Sequence, residues 1–405
     1  MSSLQREMLR SKLPAVPPGP TGPPPARRGR RDYAPVKGNQ YFSEEQEVVL
    51  DNGDVFKVYR CSSIDCPPDR PVLFLLHGAG YSGLTWACFA AEIVSMVECS
   101  VVAIDLRGHG ESTALDETDL SVEAMTHDIG RVYQQLYESR EQKPPVVLIG
   151  HSMGGALAVH VAAAGCIPEV SGIVVIDVVE GTALDALQSM QAVLRARPRS
   201  FHSLDYAVEW SCRSGQTKNI NAAKVSMPAM LKRISDGVPA TKLIKMSKVS
   251  SPIPTTNEVG NDSTGSSAEA HNSIGAAAAA GVIPEDRKAD FNPVNKTDQN
   301  NQGFTWRIDL SRTEPYWSGW FRGLSSSFLA QSCAKLLLLA GIDRLDRDLT
   351  IGQMQGKFQT QVLPKVGHAV HEDAPVKVAE AISSFLVRNK LCEKIGDFSP
   401  PSVCC

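Results

Sequence analysis

No apolar run in this chain of 405 residues reaches the ~20 that a membrane-spanning helix needs, and the N-terminus lacks the apolar stretch of a secretion signal. Charge of one sign is also missing. With 41 Lys and Arg against 44 Asp and Glu the formal net charge is −3, which argues against nucleic acid or a membrane surface as the main partner. The ten cysteines show no Cys-x-x-Cys spacing, and no His-rich cluster accompanies them, so neither structural zinc nor a disulfide framework is indicated. Several, such as Cys88 and Cys166, fall in helix-like apolar segments, as buried reduced thiols do. What is present, 42% hydrophobic and 21% charged residues, is the composition of a soluble globular protein long enough for one large domain with insertions. An intracellular, cytoplasmic protein is expected. Residues 1–40 form a Pro-, Gly- and Arg-rich tail too polar to bury a core, and its cluster Ala26-Arg27-Arg28-Gly29-Arg30-Arg31 has the character of a nuclear-import signal or of a solvated arm.

One stretch organises the remainder: Val146-Val147-Leu148-Ile149-Gly150-His151-Ser152-Met153-Gly154-Gly155-Ala156. A strand-like apolar run enters Gly-x-Ser-x-Gly and leaves as a small-residue helix. This is the pattern of a nucleophile elbow, in which a sharp turn holds a strained serine with its hydroxyl exposed above the sheet. Gly150 and Gly154 are demanded because a Cβ at either would strike neighbouring backbone. His151 reads as a packing residue that points away from the hydroxyl.

Around this elbow, strands and helices alternate. Residues 46–60 predict an antiparallel hairpin about Asn52-Gly53. Pro71 to Leu76 is a buried strand ending in His77-Gly78-Ala79-Gly80, whose bare backbone N–H near Ala79 would form half of an oxyanion hole completed by the N–H of Met153. Helix 84–97, strand 100–105 and helix 119–138 follow, and Asp105 with His109 reads as part of a structural turn rather than a catalytic pair. The pattern is α/β: an α/β-hydrolase fold with a mostly parallel central sheet, helices on both faces and a helical lid insertion between strands six and seven.

The fold uses the order serine, acid, histidine. His368, on a short loop after the last strand, is the expected base ahead of His371. Two acids end strands: Asp177 after the sixth and Asp343 after the seventh, and pattern alone leaves the choice open. The expected layout is a core of residues 41–179 and 334–390, a lid over 180–333 with a disordered middle at 247–302, and a tail over 391–405. Three of the five tryptophans, Trp306, Trp317 and Trp320, fall near the lid's end, where Trp317 and Trp320 are candidate substrate contacts. Cys404-Cys405 is the only feature of the C-terminal tail with a prenylation-like reading, beside that of a plain end.

Several blocks together resemble the protein phosphatase methylesterase family: the elbow, Val175-Ile176-Asp177-Val178-Val179-Glu180-Gly181-Thr182-Ala183, Tyr316-Trp317-Ser318-Gly319-Trp320-Phe321-Arg322-Gly323, Leu338-Leu339-Ala340-Gly341-Ile342-Asp343, and Gly367-His368-Ala369-Val370-His371-Glu372-Asp373. The resemblance runs from about residue 41 to 390 outside the disordered loop. It implies a triad of Ser152, Asp177 and His368. It also implies removal of the methyl ester from the C-terminal leucine of the protein phosphatase 2A catalytic subunit, with that subunit and its scaffold subunit as partners. No cofactor or metal is implied. One departure stands out: residues 240–303 hold seven acids and six bases, where relatives carry a strongly acidic run. A small-molecule esterase of the same fold, and a protein that binds and restrains the phosphatase, are the competing readings.

Overall fold

The computed structural model describes residues 31–246, 303–341, 345–396 and 398. Asp343, the 247–302 segment, most of the N-terminal tail and Cys404-Cys405 lie outside the described residues. The chain divides into two compact units, Met1–Asp32 and Tyr33–Cys405, and the second carries all that follows.

Eight strands make the central sheet: β1 (Glu44–Val49), β2 (Val55–Ser62), β3 (Val72–Leu76), β4 (Ser100–Ile104), β5 (Val146–His151), β6 (Val170–Ile176), β7 (Ala334–Leu339) and β8 (Gln359–Val362). They lie in the order β1-β2-β4-β3-β5-β6-β7-β8. The hairpin β1–β2 forms as its turn predicts, with Gly53 at φ 87°. β2 also runs antiparallel to β4, and every later pairing is parallel.

Continuous apolar strands are what a sheet covered on both faces requires. Along β3 the side chains divide by the two-residue period of a strand. Val72, Phe74 and Leu76 enter a core shared with Met125 and Ile129 of the helix Val122–Tyr137 and with the helix Met153–Ala164. Leu73 and Leu75 enter the opposite core, with Phe89 and Ile93 of the helix Ala87–Met96 and Phe385 of the helix Pro375–Arg388. Parallel pairing then brings the carboxyl ends of β3, β5, β6 and β7 to one edge, where Leu76 pairs with Gly150, His151 with Ile176, and Ile176 with Leu338.

Between β6 and β7 the chain makes the helices Glu180–Ala196, Leu204–Ser214, Ile220–Ala229, Ala240–Met246, Glu314–Phe321 and Leu324–Ala330. It also makes a small antiparallel sheet of Ser200–Phe201, Phe304–Trp306 and Leu231–Arg233. Part of this insertion packs into a separate cluster around Phe201, Trp210, Met227 and Leu231, which also takes in Tyr81 and Ala369 from outside the insertion and onto which Trp306 packs. Trp317, Trp320 and Phe321 instead join the core of the main sheet. Glu180, the first helical residue, ties the two ends of the insertion together by accepting the N–H groups of Gly323 at 2.8 Å and Ser325 at 3.0 Å.

Candidate active site

The elbow forms where β5 hands over to the helix Met153–Ala164 through a single residue. Ser152 sits at φ 53°, ψ −121°, a conformation an L-residue holds only when its surroundings impose it. Its N–H donates to the Ile176 carbonyl at 3.0 Å. A Cβ on Gly150 would lie 2.0 Å from the Gly154 carbonyl oxygen, and one on Gly154 would lie 2.2 Å from that of Leu76. Glycine at both positions is therefore a condition of the turn. Met153 opens the helix, so its N–H has no carbonyl one turn earlier to bond with.

One strand over, Asp177 also takes a positive φ of 53°, and its N–H bonds to the Leu338 carbonyl at 2.8 Å. Its buried carboxylate accepts the Ala340 N–H at 3.0 Å through Oδ1 and His368 Nδ1–H at 2.8 Å through Oδ2. With the proton on Nδ1, Nε2 of His368 is left as the acceptor. The loop bearing His368 is pinned from below. Gly367 N–H donates to Asp373 Oδ2 at 2.6 Å, while Asp373 Oδ1 accepts Thr217 Oγ1–H and Lys218 N–H. His151 Nε2–H donates to the carbonyl of His368 itself at 2.9 Å, and the two rings lie 4.6 Å apart. Burial holds the His151 imidazole neutral, with its pKa drawn down to about 3.

The glycine-rich turn after β3 is held by two more buried neutral imidazoles. His109 donates through Nδ1 to the Arg107 carbonyl and accepts Gly80 N–H at 2.9 Å through Nε2. His77 donates through Nδ1 to the Gly78 carbonyl and accepts Leu106 N–H at 3.0 Å. Desolvation drives both pKa values down, that of His109 to about 4. Asp105 accepts Gly83 N–H, Glu111 N–H and the Tyr59 hydroxyl, so Asp105 and His109 each serve turns. His371 is buried between Trp86 and Thr85 and does not line the cavity described next.

Ser152, Met153, Ala79 and His368 converge on one cavity, about 550 Å³ of empty space that is partly open to solvent. Apolar side chains from the helices Glu180–Ala196 (Leu187, Met190, Leu194) and Glu314–Phe321 (Trp317, Trp320, Phe321) form its walls. Trp317 and Trp320 are fixed there by Nε1–H bonds to Thr313 Oγ1 and the Leu120 carbonyl. Tyr81 and Arg197 also line it, and neither stands out in the sequence. Arg197 sits among other basic residues in Arg195-Ala196-Arg197-Pro198-Arg199, so no local pattern singles it out. Burial draws its pKa down to about 10, which leaves it charged near neutrality. Among the described residues no group of three His, Cys, Asp or Glu could hold a metal ion, no disulfide forms, and no helix is long and apolar enough to cross a membrane.

Strand order and elbow define a class, the α/β hydrolases. A model of the alpha/beta hydrolase family matches residues 73–245. Two solved structures share the fold: E-2-(acetamidomethylene)succinate hydrolase, with a TM-score of 0.56 and 15% identity over 85% of this chain and 100% of that one, and an esterase of M. tuberculosis, with a TM-score of 0.51 and 18% identity over 85% and 92%. Sequence similarity narrows the class. The chain is 48% identical to protein phosphatase methylesterase 1 of Mus musculus and 46% to that of Homo sapiens, with 98% of each chain covered in both cases. Its identity to the Schizosaccharomyces pombe protein of the same name is 35%, over 88% of this chain and 87% of that one. This chain belongs to the protein phosphatase methylesterase 1 family, and it is an ester hydrolase.

Proposed function

We propose that Ser152, His368 and Asp177 act as nucleophile, base and orienting acid in hydrolysing the methyl ester on the C-terminal leucine of the protein phosphatase 2A catalytic subunit. The observation that carries this reading is the 2.8 Å bond from His368 Nδ1–H to buried Asp177, made at the cavity that also exposes Ser152. His368 Nε2 takes the proton as Ser152 Oγ attacks the ester carbonyl, and the N–H groups of Ala79 and Met153 receive the oxyanion. Methanol leaves with the proton from His368. Water, deprotonated by the same nitrogen, then releases the leucine carboxylate and regenerates the serine. Each oxyanion donor contributes on the order of 3 kcal/mol to the transition state. The insertion acts as the lid, and its apolar walls suit a leucine side chain.

The test is methanol release from carboxymethylated protein phosphatase 2A. Ser152→Ala and Asp177→Asn should each lose a factor on the order of 10⁴, and Asp343→Asn should lose little. If Asp343→Asn is instead the inactive variant, the acid is misassigned. If the wild type releases no methanol, the substrate is.

A further inference from the structure

His368 lies on the loop between β8 and the short helix Val370–Asp373, and bonds reaching in from the insertion hold that loop. Lys365, shortly ahead of His368, sits at φ 67°, a conformation a lysine keeps only under outside constraint, and its carbonyl accepts Lys218 Nζ–H at 3.0 Å. Asn219 Nδ2–H donates to the Glu372 carbonyl at 3.0 Å, while Asn219 Oδ1 accepts the N–H groups of Asn221 and Ala222 as the cap of the helix Ile220–Ala229. Asp373 adds a further fastening. Its Oδ1 takes Lys218 N–H at 2.7 Å and the Thr217 hydroxyl at 3.2 Å, and its Oδ2 takes Gly367 N–H at 2.6 Å. One carboxylate thus joins the turn Thr217–Asn219, which lines no part of the cavity, to the residue directly ahead of His368.

The other restraints on His368 act on its ring and on its carbonyl. Asp177 orients the imidazole through Nδ1, and the carbonyl accepts His151 Nε2–H and Val370 N–H, each at 2.9 Å. The bond to Gly367 N–H supplies the restraint where the chain enters the histidine. We propose that Asp373 is a positioning residue for the base, through which the turn Thr217–Asn219 sets where His368 Nε2 stands relative to Ser152 Oγ. The proposal rests on the reading of Ser152 and His368 as nucleophile and base. All three partners of Asp373 are donors, so each of its oxygens must accept; a carboxylate does this, and an amide, with one oxygen and one NH₂, cannot. A Cβ on Gly367 would lie 2.9 Å from Asp373 Oδ2, so glycine there lets the carboxylate reach the N–H. A misplacement of about 1 Å at a reacting group can cost on the order of 10²-fold in rate. Loosening the loop at Gly367 therefore slows the reaction and leaves the apolar walls as they are. One turn of the insertion serves the base, and other parts of it, the wall helices, shape the cavity.

The experiment times the phosphonylation of Ser152 by an alkyl fluorophosphonate, followed by protein mass, beside methanol release from carboxymethylated protein phosphatase 2A. In the first reaction Ser152 Oγ attacks phosphorus, fluoride leaves and His368 takes the proton, so it needs the same pair but no methyl ester. Asp373→Asn should slow both reactions roughly 10–100-fold, with KM for the phosphatase little changed. Thr217→Val, nearly isosteric but lacking one donor, should slow both roughly 2–5-fold. The double variant should be slower than Asp373→Asn by no more than about 2-fold, since both changes act on one carboxylate. A merely structural Asp373 would lower the unfolding midpoint of Asp373→Asn and leave the folded variant phosphonylated at the wild-type rate, which overturns the proposal. Fully additive losses in the double variant also overturn it. Should thermal unfolding show that Asp373→Asn does not fold, Thr217→Val decides, and a wild-type phosphonylation rate for it overturns the proposal. A wild type phosphonylated at Ser152 that releases no methanol overturns the phosphatase reading alone, and the phosphonylation rates still judge Asp373. A wild type that is not phosphonylated at Ser152 overturns the two together.

Discussion

Two regions meet at the cavity, and they tolerate change very differently. On the sheet side, positions are dictated by backbone against backbone: Gly150 and Gly154 have other main-chain atoms within 2.0–2.2 Å of where a Cβ would stand. On the insertion side the walls are side chains, and Gly319, in the helix that carries Trp317 and Trp320, has nothing within 4 Å of its missing Cβ. The side that presents the proposed nucleophile admits almost no variation. The side that shapes the cavity can be rebuilt one side chain at a time. Under the proposed function, reaction and selectivity fall to separate parts of one chain, and the same substitution made on each side should give opposite results.

The largest effect is expected from Gly154→Ala. The added methyl meets the Leu76 and His77 carbonyls, neither of which can withdraw without parting β3 from β5. A loss of about 4 kcal/mol or more is expected, with ester hydrolysis abolished. Retention of both the wild-type unfolding midpoint and activity would show that the elbow is not rigid and would erase the contrast.

Acid should act next, and again on the sheet side. Burial depresses the pKa values of His77, His109, His151 and His371 and raises those of Asp105 and Glu372 to about 7. Between pH ~4.5 and ~5.5 the unfolded chain holds nearly four imidazole protons that the folded one refuses, and it lacks the two carboxyl protons that the folded one keeps. A net uptake of about two protons on unfolding makes stability fall by about 2.7 kcal/mol per pH unit as the solution is acidified through that window. Denaturant unfolding at pH 5.5 and pH 4.5 measures the slope, and a flat or reversed slope would mean that these imidazoles are not held neutral.

His151 sharpens the comparison at one residue. His151→Phe keeps the ring volume but loses the N–H that holds the His368 carbonyl, and kcat should fall roughly 10–100-fold with KM little changed. His151→Gln, which keeps a donor, should recover part of the loss. Equal kinetics for the two variants would make His151 a packing residue after all.

That residue also marks where the sequence stops being readable. The alternation of strands and helices, the elbow and its glycines could be read because each follows from local sterics or from a two-residue or 3.6-residue period. Ser152 and His368 could be named as candidates because parallel strands deliver their carboxyl ends to one edge. The choice between Asp177 and Asp343 could not be read from pattern, since each follows a strand-like apolar run in the sequence, and the family resemblance alone favoured Asp177. Nor could the His151 bond, which spans 217 residues, or the cavity, whose walls come from residues as far apart as Ala79, Arg197, Leu310 and His368. Such contacts leave no periodicity in the chain, and tertiary packing alone reveals them.

The smallest effect tests the permissive side. Gly319 lies inside the helix Glu314–Phe321, is exposed, and adopts ordinary helical backbone, so alanine there meets neither a clash nor a strained φ. Gly319→Ala removes conformational freedom from the unfolded chain and should stabilise the protein by about 0.5–1 kcal/mol. A fixed helix should also hold Trp317 and Trp320 more firmly, which predicts KM unchanged or slightly lower, with kcat retained. The pairing with Gly154→Ala is what gives this small shift its force, because one methyl group should ruin the enzyme on the sheet side and strengthen it on the other. A destabilised or inactive Gly319→Ala would mean that the insertion is as tightly specified as the elbow, and selectivity could not then be varied apart from the chemistry.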